Sequence, residues 1–182
     1  MKSLDILIAE HDTIKFGMNL IAQAIAKFDS GQSVPEEFPA WAAQFLRQFG
    51  DKCHHAKEED LLFPLLKARG IPVEGGPIGC MLQEHDTGRD CVRRMREASE
   101  SDPLDENTFV AAAKEFIPLL REHIDKENNI LYQMAANVMT EADDAELTAQ
   151  FSKVEKERSL EGMHERCTAE IERWEGEMGP MP

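Results

Sequence analysis

The chain has 182 residues, enough for one domain with a sizeable core, and its 42% hydrophobic and 30% charged residues are ordinary for a globular protein. A formal net charge of −15, with Asp and Glu spread along the chain rather than gathered in a tail, disfavours nucleic acid and anionic lipid as partners. Asp5 and Glu10 interrupt the first apolar stretch, and the longest uncharged apolar run, Leu61 to Leu66, is far short of the ~20 residues that span a bilayer. The expectation is therefore no membrane partner and a cytoplasmic protein. Cys53, Cys80, Cys91 and Cys167 form no C-x-x-C pair and read as reduced, mostly buried thiols.

Apolar residues recur at three- and four-residue spacing, as a helix requires, with breaker-rich stretches between them. Leu4, Leu7, Ile8, Ile14, Met18, Ile21 and Ile25 trace a first helix near 3–28. A break with Gly31, Pro35 and Pro39 precedes a second near 38–68, whose end Pro64 is expected to bend. Pro72, Gly75, Gly76 and Pro77 separate it from a third near 77–98. After Pro103 a fourth is expected near 105–137, kinked at Pro118, and a fifth near 141–175 carries Leu147, Phe151, Val154, Leu160 and Trp174 as packing residues. The fold class is all-α. Residues 1–140 form an antiparallel up-down four-helix bundle, and residues 141–182 form an additional C-terminal helix and tail packed on it.

An internal repeat supports that organisation. Glu10-His11-Asp12-Thr13 recurs as Glu84-His85-Asp86-Thr87. His54-His55-Ala56-Lys57-Glu58, with Leu62-Phe63 after it, recurs as His123-Ile124-Asp125-Lys126-Glu127, with Leu131-Tyr132 after it. Each half is one helical hairpin, and two hairpins make the bundle.

His54 and Glu58 are four residues apart, as are His123 and Glu127, so each pair shares a helix face and forms a two-ligand clip. His11 and His85 add one imidazole from each remaining helix. Six such ligands exceed the four of a structural zinc, whereas two metals bridged by two carboxylates use them all. Imidazole and carboxylate without thiolate suit iron or manganese. The order His-x-x-x-Glu also differs from the Glu-x-x-His of ferritin-like bundles.

These residues, with H-H-A-K-E-E-D-L-L-F-P at 54–64, E-H-D at 84–86 and H-I-D-K-E-N-N-I-L-Y at 123–132, resemble the hemerythrin-like, HHE cation-binding family over roughly residues 3–137. The resemblance implies a non-heme di-iron centre, two iron ions with an oxo or hydroxo bridge, on His11, His54, Glu58, His85, His123 and Glu127, with Glu58 and Glu127 bridging. Similar oxygen carriers place two histidines one turn apart on the third helix, but here Arg89 follows His85. His55 is the candidate seventh ligand, although it is rotated about 100° from His54. Its alternative is a surface histidine paired with Glu59.

Asp12 and Asp86 read as helix-face charges, with orientation of a bound histidine as the other reading. Leu62, Phe63, Leu131 and Tyr132 read as core, and Cys53 and His164 as structural. There is no catalytic constellation beyond the ligands, and no nucleotide or flavin motif. The resemblance implies binding or sensing of dioxygen, nitric oxide or peroxide rather than a dedicated enzyme. The alternatives are an oxidoreductase that reduces peroxide or nitric oxide, and an iron storage or donation protein. Iron–sulfur repair proteins resemble the same bundle, often with a preceding cysteine-containing domain. No such stretch is read here, so that role ranks below the others. A homodimer through the C-terminal helix is left open.

Overall fold

A computed structural model describes residues 1–179, which contain six helices and no strand. α1 is Lys2–Asp29. α2 covers 38–68: an α-helical start Phe38–Phe45, a π-helical stretch Leu46–His55, a π-helical turn Glu58–Leu62 and an α-helical end Phe63–Ala68. α3 is Pro77–Ser99. α4 covers 106–138, as Glu106–Lys126, a π-helical turn Glu127–Leu131 and Tyr132–Val138. α5 is Glu141–Glu157 and α6 is Met163–Met178. The first four, joined by short loops, make an all-α four-helix bundle; α3 packs against α2 and α4, and α1 against α2 and α4.

The expected 141–175 helix is in fact two. The chain leaves α5 through Ser159, at φ 57°, and enters α6 through Gly162, at φ 68°. That left-handed backbone ends a helix and suits glycine far better than serine. The hydrophobic periodicity on either side is uninterrupted, so the break is hard to read from pattern alone. Pro118 lies inside α4, which continues through it. Pro64 sits just after the π-helical turn of α2, where its missing N–H costs a ladder bond that the widened turn has already altered.

The core has three layers. At one end Met18, Ile21, Phe38, Phe49, Met95 and Phe109 lead an apolar cluster that α6 closes with Cys167, Ile171 and Trp174. At the other, Leu7, Leu62, Phe63, Leu131 and Tyr132 form a second, which α5 closes with Leu147 and Phe151. Between them lies a layer of buried polar side chains: Glu10, His11, His54, Lys57, Glu58, His85, His123 and Glu127. The C-terminal helices thus share both apolar clusters with the bundle. Asp144 of α5 also accepts from the free N–H groups of Lys2 and Ser3, at 3.0 and 2.9 Å, and so caps α1.

Gly17 sets how closely α1 approaches α2. A Cβ there would lie 2.2 Å from Cε1 of Phe45, whose ring is stacked between Trp41 and Phe49. Gly17→Val should therefore cost about 1–3 kcal/mol by overpacking. Urea denaturation would read this as a lower midpoint at unchanged slope; an unchanged midpoint would mean that the helices can separate freely.

Candidate metal centre

Four imidazoles meet in the polar layer, one from each bundle helix, and each has one nitrogen tied to an acceptor. His54 Nδ1 lies 3.0 Å from Glu10 Oε2, and His123 Nδ1 lies 3.0 Å from Glu84 Oε2. His85 Nδ1 lies 2.6 Å from Glu59 Oε1, and His11 Nδ1 lies 2.8 Å from Asn128 Oδ1. An Nδ1–H held by an acceptor leaves Nε2 as the bare lone pair, the ligating form. The four Nε2 atoms face inward, with those of His85 and His123 3.2 Å apart.

Glu58 and Glu127 stand among these nitrogens. Glu58 Oε2 is 3.6 Å from His54 Nε2 and 3.4 Å from His85 Nε2. Glu127 Oε2 is 3.1 Å from both His11 Nε2 and His123 Nε2. Each carboxylate therefore lies between one histidine of the first half and one of the second. Both glutamates open a π-helical turn, the same irregularity at the same place in the repeat. Such turns shift the face that a side chain presents and recur at functional sites.

The donor atoms form two sets, each within 4.8 Å of one another: His11, His54, Glu58 and Glu127, and His55, Glu58, His85 and His123. All seven residues singled out from the sequence are thus brought together. His55 is the least buried. Its ring stacks on His85 at 3.8 Å between centroids, and its Nδ1 is 3.6 Å from Asp51 Oδ1, beyond hydrogen-bond range. Its expected alternative partner, Glu59, is instead engaged by His85 and by Arg89 Nη2, at 2.7 Å.

A cation fits this arrangement. His11 Nε2, His54 Nε2, Glu58 Oε2 and both oxygens of Glu127 are buried with no hydrogen-bond partner among the described residues. Each such group costs about 1–3 kcal/mol when left unsatisfied, more when charged. Burial, reinforced by Glu127, pushes the Glu58 carboxyl well above the ordinary carboxylate range. Burial acts the same way at Glu127, but His123 and His11 outweigh it and hold that carboxyl well below. Burial holds His54 low, and His55 down at about 3 with the help of His85, so both imidazoles are neutral at pH 7. Burial also opposes charge on His123, yet Glu127 and Glu84 outweigh it and raise that imidazole. Without a cation, then, the two carboxylates are compensated only by a proton or by a charged imidazole. A divalent cation would satisfy both carboxylates and the bare nitrogens together.

Tyr132 donates to Glu58 Oε1 at 2.7 Å, and its ring lies parallel to His11 at 5.6 Å. Phe63, at the equivalent position of the first half, stacks on His85 at 5.9 Å and offers no hydroxyl. Lys57 is fully buried and joins Glu10, Glu155 of α5 and Cys53. Its counterpart Lys126 reaches Glu84 at a partly exposed position. Burial pushes the Cys53 thiol up to about 11, which makes it inert. Exposed His164 lies outside the centre, 3.5 Å from Thr13 Oγ1.

The residues that orient the histidines are Glu10, Glu59, Glu84 and Asn128. Asp12 and Asp86 do not take part: they are exposed and pair with Lys15 and Arg89. A clue was present, since the repeat carries Glu10 and Glu84, and Lys57 and Lys126, as faithfully as it carries the histidines.

A model of the hemerythrin HHE cation binding domain matches residues 2–135. The chain belongs to that family. This HHE protein is 30% identical over 139 residues to the iron-sulfur cluster repair protein YtfE of Enterobacter sp. (strain 638), covering 71% of this chain and 63% of that protein. It is 36% identical over 88 residues to YtfE of Musicola paradisiaca (strain Ech703), covering 45% and 40%. It is 30% identical over 123 residues to the iron-sulfur cluster repair protein DnrN of Neisseria gonorrhoeae, covering 62% and 73%. The matched part is thus less than two thirds of either YtfE protein. No solved structure matches the chain. No described helix is long and apolar enough to cross a membrane.

The orienting role is testable. Glu10→Ala should weaken metal binding about 10- to 100-fold, as loss of a carboxylate behind a ligating histidine does. Asp12→Ala should leave it unchanged. Equal metal affinities for both variants, measured by competition with a chelator, would remove Glu10 from the site.

Proposed function

We propose that this HHE protein holds two iron ions on His11, His54, His55, Glu58, His85, His123 and Glu127, with both glutamates shared, and that it binds dioxygen, nitric oxide or peroxide there. The observation that carries the reading is the convergence of bare, buried Nε2 lone pairs and partnerless carboxylate oxygens. Two donor sets that share Glu58 favour two metals over one, and a thiolate-free nitrogen and oxygen donor set suits iron.

When bound, iron would supply the electrons and an open coordination position for the small ligand. The chain's own residues set everything else. Glu10, Glu59, Glu84 and Asn128 fix the imidazole planes, and Tyr132 fixes the Glu58 carboxylate through its hydroxyl proton. Leu62, Phe63 and Leu131, all nearly inaccessible, keep water from one side. The space beside His55, His85 and His123 is a void of about 10 Å³, room for about one water-sized molecule. A void that small beside the histidines favours a diatomic molecule or a peroxide there.

A second reading is a part in iron–sulfur cluster repair, the role that the relatives' names carry, with this chain donating the iron. It regains the rank that the sequence reading withheld. The two readings separate on one point: a carrier or sensor keeps its metal through a binding cycle, whereas a donor yields it to an acceptor protein.

Glu58→Ala with Glu127→Ala should leave a helical protein with little bound iron, read by metal analysis beside circular dichroism. His55→Ala should lose less. Full iron occupancy in the double variant would end the shared-carboxylate assignment. In the unaltered reduced protein, exposure to dioxygen or nitric oxide should produce a visible band that disappears on removing the gas, with iron retained. Transfer of the iron to a cluster-free acceptor under the same conditions would favour donation.

A further inference from the structure

Beyond the metal layer, α2 and α3 leave a cavity of about 200 Å³ that runs from His55 towards the Trp41 end of the bundle. Its walls are apolar: Ile14, Leu46, Val92, Phe116 and Leu120. Two buried glycines, Gly50 and Gly88, keep it open. A Cβ built at Gly50 meets nothing within 4 Å, so the space beside this buried backbone is empty.

The charged side chains that line the cavity invert the character of the protein. In a chain of net charge −15, Arg47, Arg89, Arg93 and Arg96 face it against one carboxylate, Asp51. Two of these arginines are engaged: Arg89 with Asp51 and Glu59, Arg93 with Asp90 and Glu97. The other two make no hydrogen bond among the described residues, and Arg96 has a single, longer ion pair with Glu100. Arg47 has no hydrogen bond or ion pair among the described residues. The Arg96 Nε is buried without a hydrogen-bond partner, and Glu100 Oε1 stands 3.6 Å from it. Both also line an outer groove with Trp41, Gln44, Ser99 and Glu100, so they sit where the cavity meets the surface. From His85 to Arg96 is about three turns of α3, or about 16 Å.

We propose that this cavity binds a small amphipathic monocarboxylate, with its carboxylate on Arg47 and Arg96 and its apolar body directed at His55. Guanidinium groups pair with carboxylates through two parallel hydrogen bonds, and the buried Arg96 Nε has such a bond to give. The apolar walls gain from covering a hydrocarbon body and give nothing to an inorganic anion. Size agrees: an apolar cavity of ~150 Å³ accepts a benzene ring, so this one accepts a ring with one carboxyl group. At the inner end Arg89 is already engaged by Asp51 and Glu59, so a second carboxylate there would have no free cation to meet it. His55 also borders the small void beside His85 and His123, so the inner end of the guest would abut the proposed di-iron centre. That adjacency rests on the di-iron reading; the binding does not.

Calorimetric titration with benzoate, on the protein as purified and after removal of its metal, tests this. One site per chain is expected in both states, with benzoate at least tenfold tighter than benzyl alcohol. Arg47→Gln with Arg96→Gln should lose that tenfold preference and keep the binding of benzyl alcohol and of metal. Gly50→Leu should abolish both ligands at unchanged metal content; the two arginines lie at partly exposed positions, so their variant decides the matter if the glycine variant fails to fold. Benzoate binding only when metal is present, no binding at all, or an undiminished preference in the arginine variant would overturn the proposal. A protein that binds benzoate but no iron would keep the cavity assignment and end the di-iron one.

Discussion

The structure depends on one electrostatic constraint: two carboxylates and four imidazoles share an interior from which water is excluded. Glu58 and Glu127 show no exposure, and none of His11, His54, His85 and His123 exceeds 2%. Such a layer destabilises a bundle unless something positive sits within it. Two apolar clusters flank the layer and provide the burial that offsets its cost. The Nδ1 partners then determine which nitrogen of each ring faces the centre. The His-x-x-x-Glu clips, the π-helical turns at the glutamates and the ion pairs at Lys57 and Lys126 all serve that arrangement.

The two halves of the chain build this layer by the same plan and then depart from it. Glu10 and Glu84 take the same role, as do Lys57 and Lys126. The residue after each buried glutamate orients a histidine of the other half, but Glu59 is charged where Asn128 is neutral. His55 corresponds to Ile124, and Phe63 to Tyr132. One donor set accordingly has three imidazoles and the other has two, with a tyrosine hydroxyl on the glutamate they share. Lys57 is also sealed by Glu155 of α5, whereas Lys126 remains partly exposed. The helix that closes the apolar cluster around Leu7 and Phe63 therefore also touches the ion-pair network behind His54.

Much of this was legible in the sequence because a helix turns spacing into direction. The four-residue spacing of His54 and Glu58 is about one turn, and the repeat puts the same turn in the other half. The four-helix core followed from hydrophobic periodicity. Cross-helix partners were not legible in the same way. Nothing in the spacing of Glu10 and His54, 44 residues apart, says that they bond; Asp12 was as good a candidate until the rotation of α1 was known. The break between α5 and α6 rests on two backbone angles that periodicity does not register. The cavity escaped because it is defined by what Gly50 and Gly88 lack.

The most direct test is a low-temperature Mössbauer spectrum of the protein reconstituted with iron-57. Two irons per chain, giving two signals of equal area that differ because their imidazole counts differ and that are magnetically coupled through the shared carboxylates, is the result predicted here. One iron per chain, or two uncoupled signals of unequal area, would contradict the account.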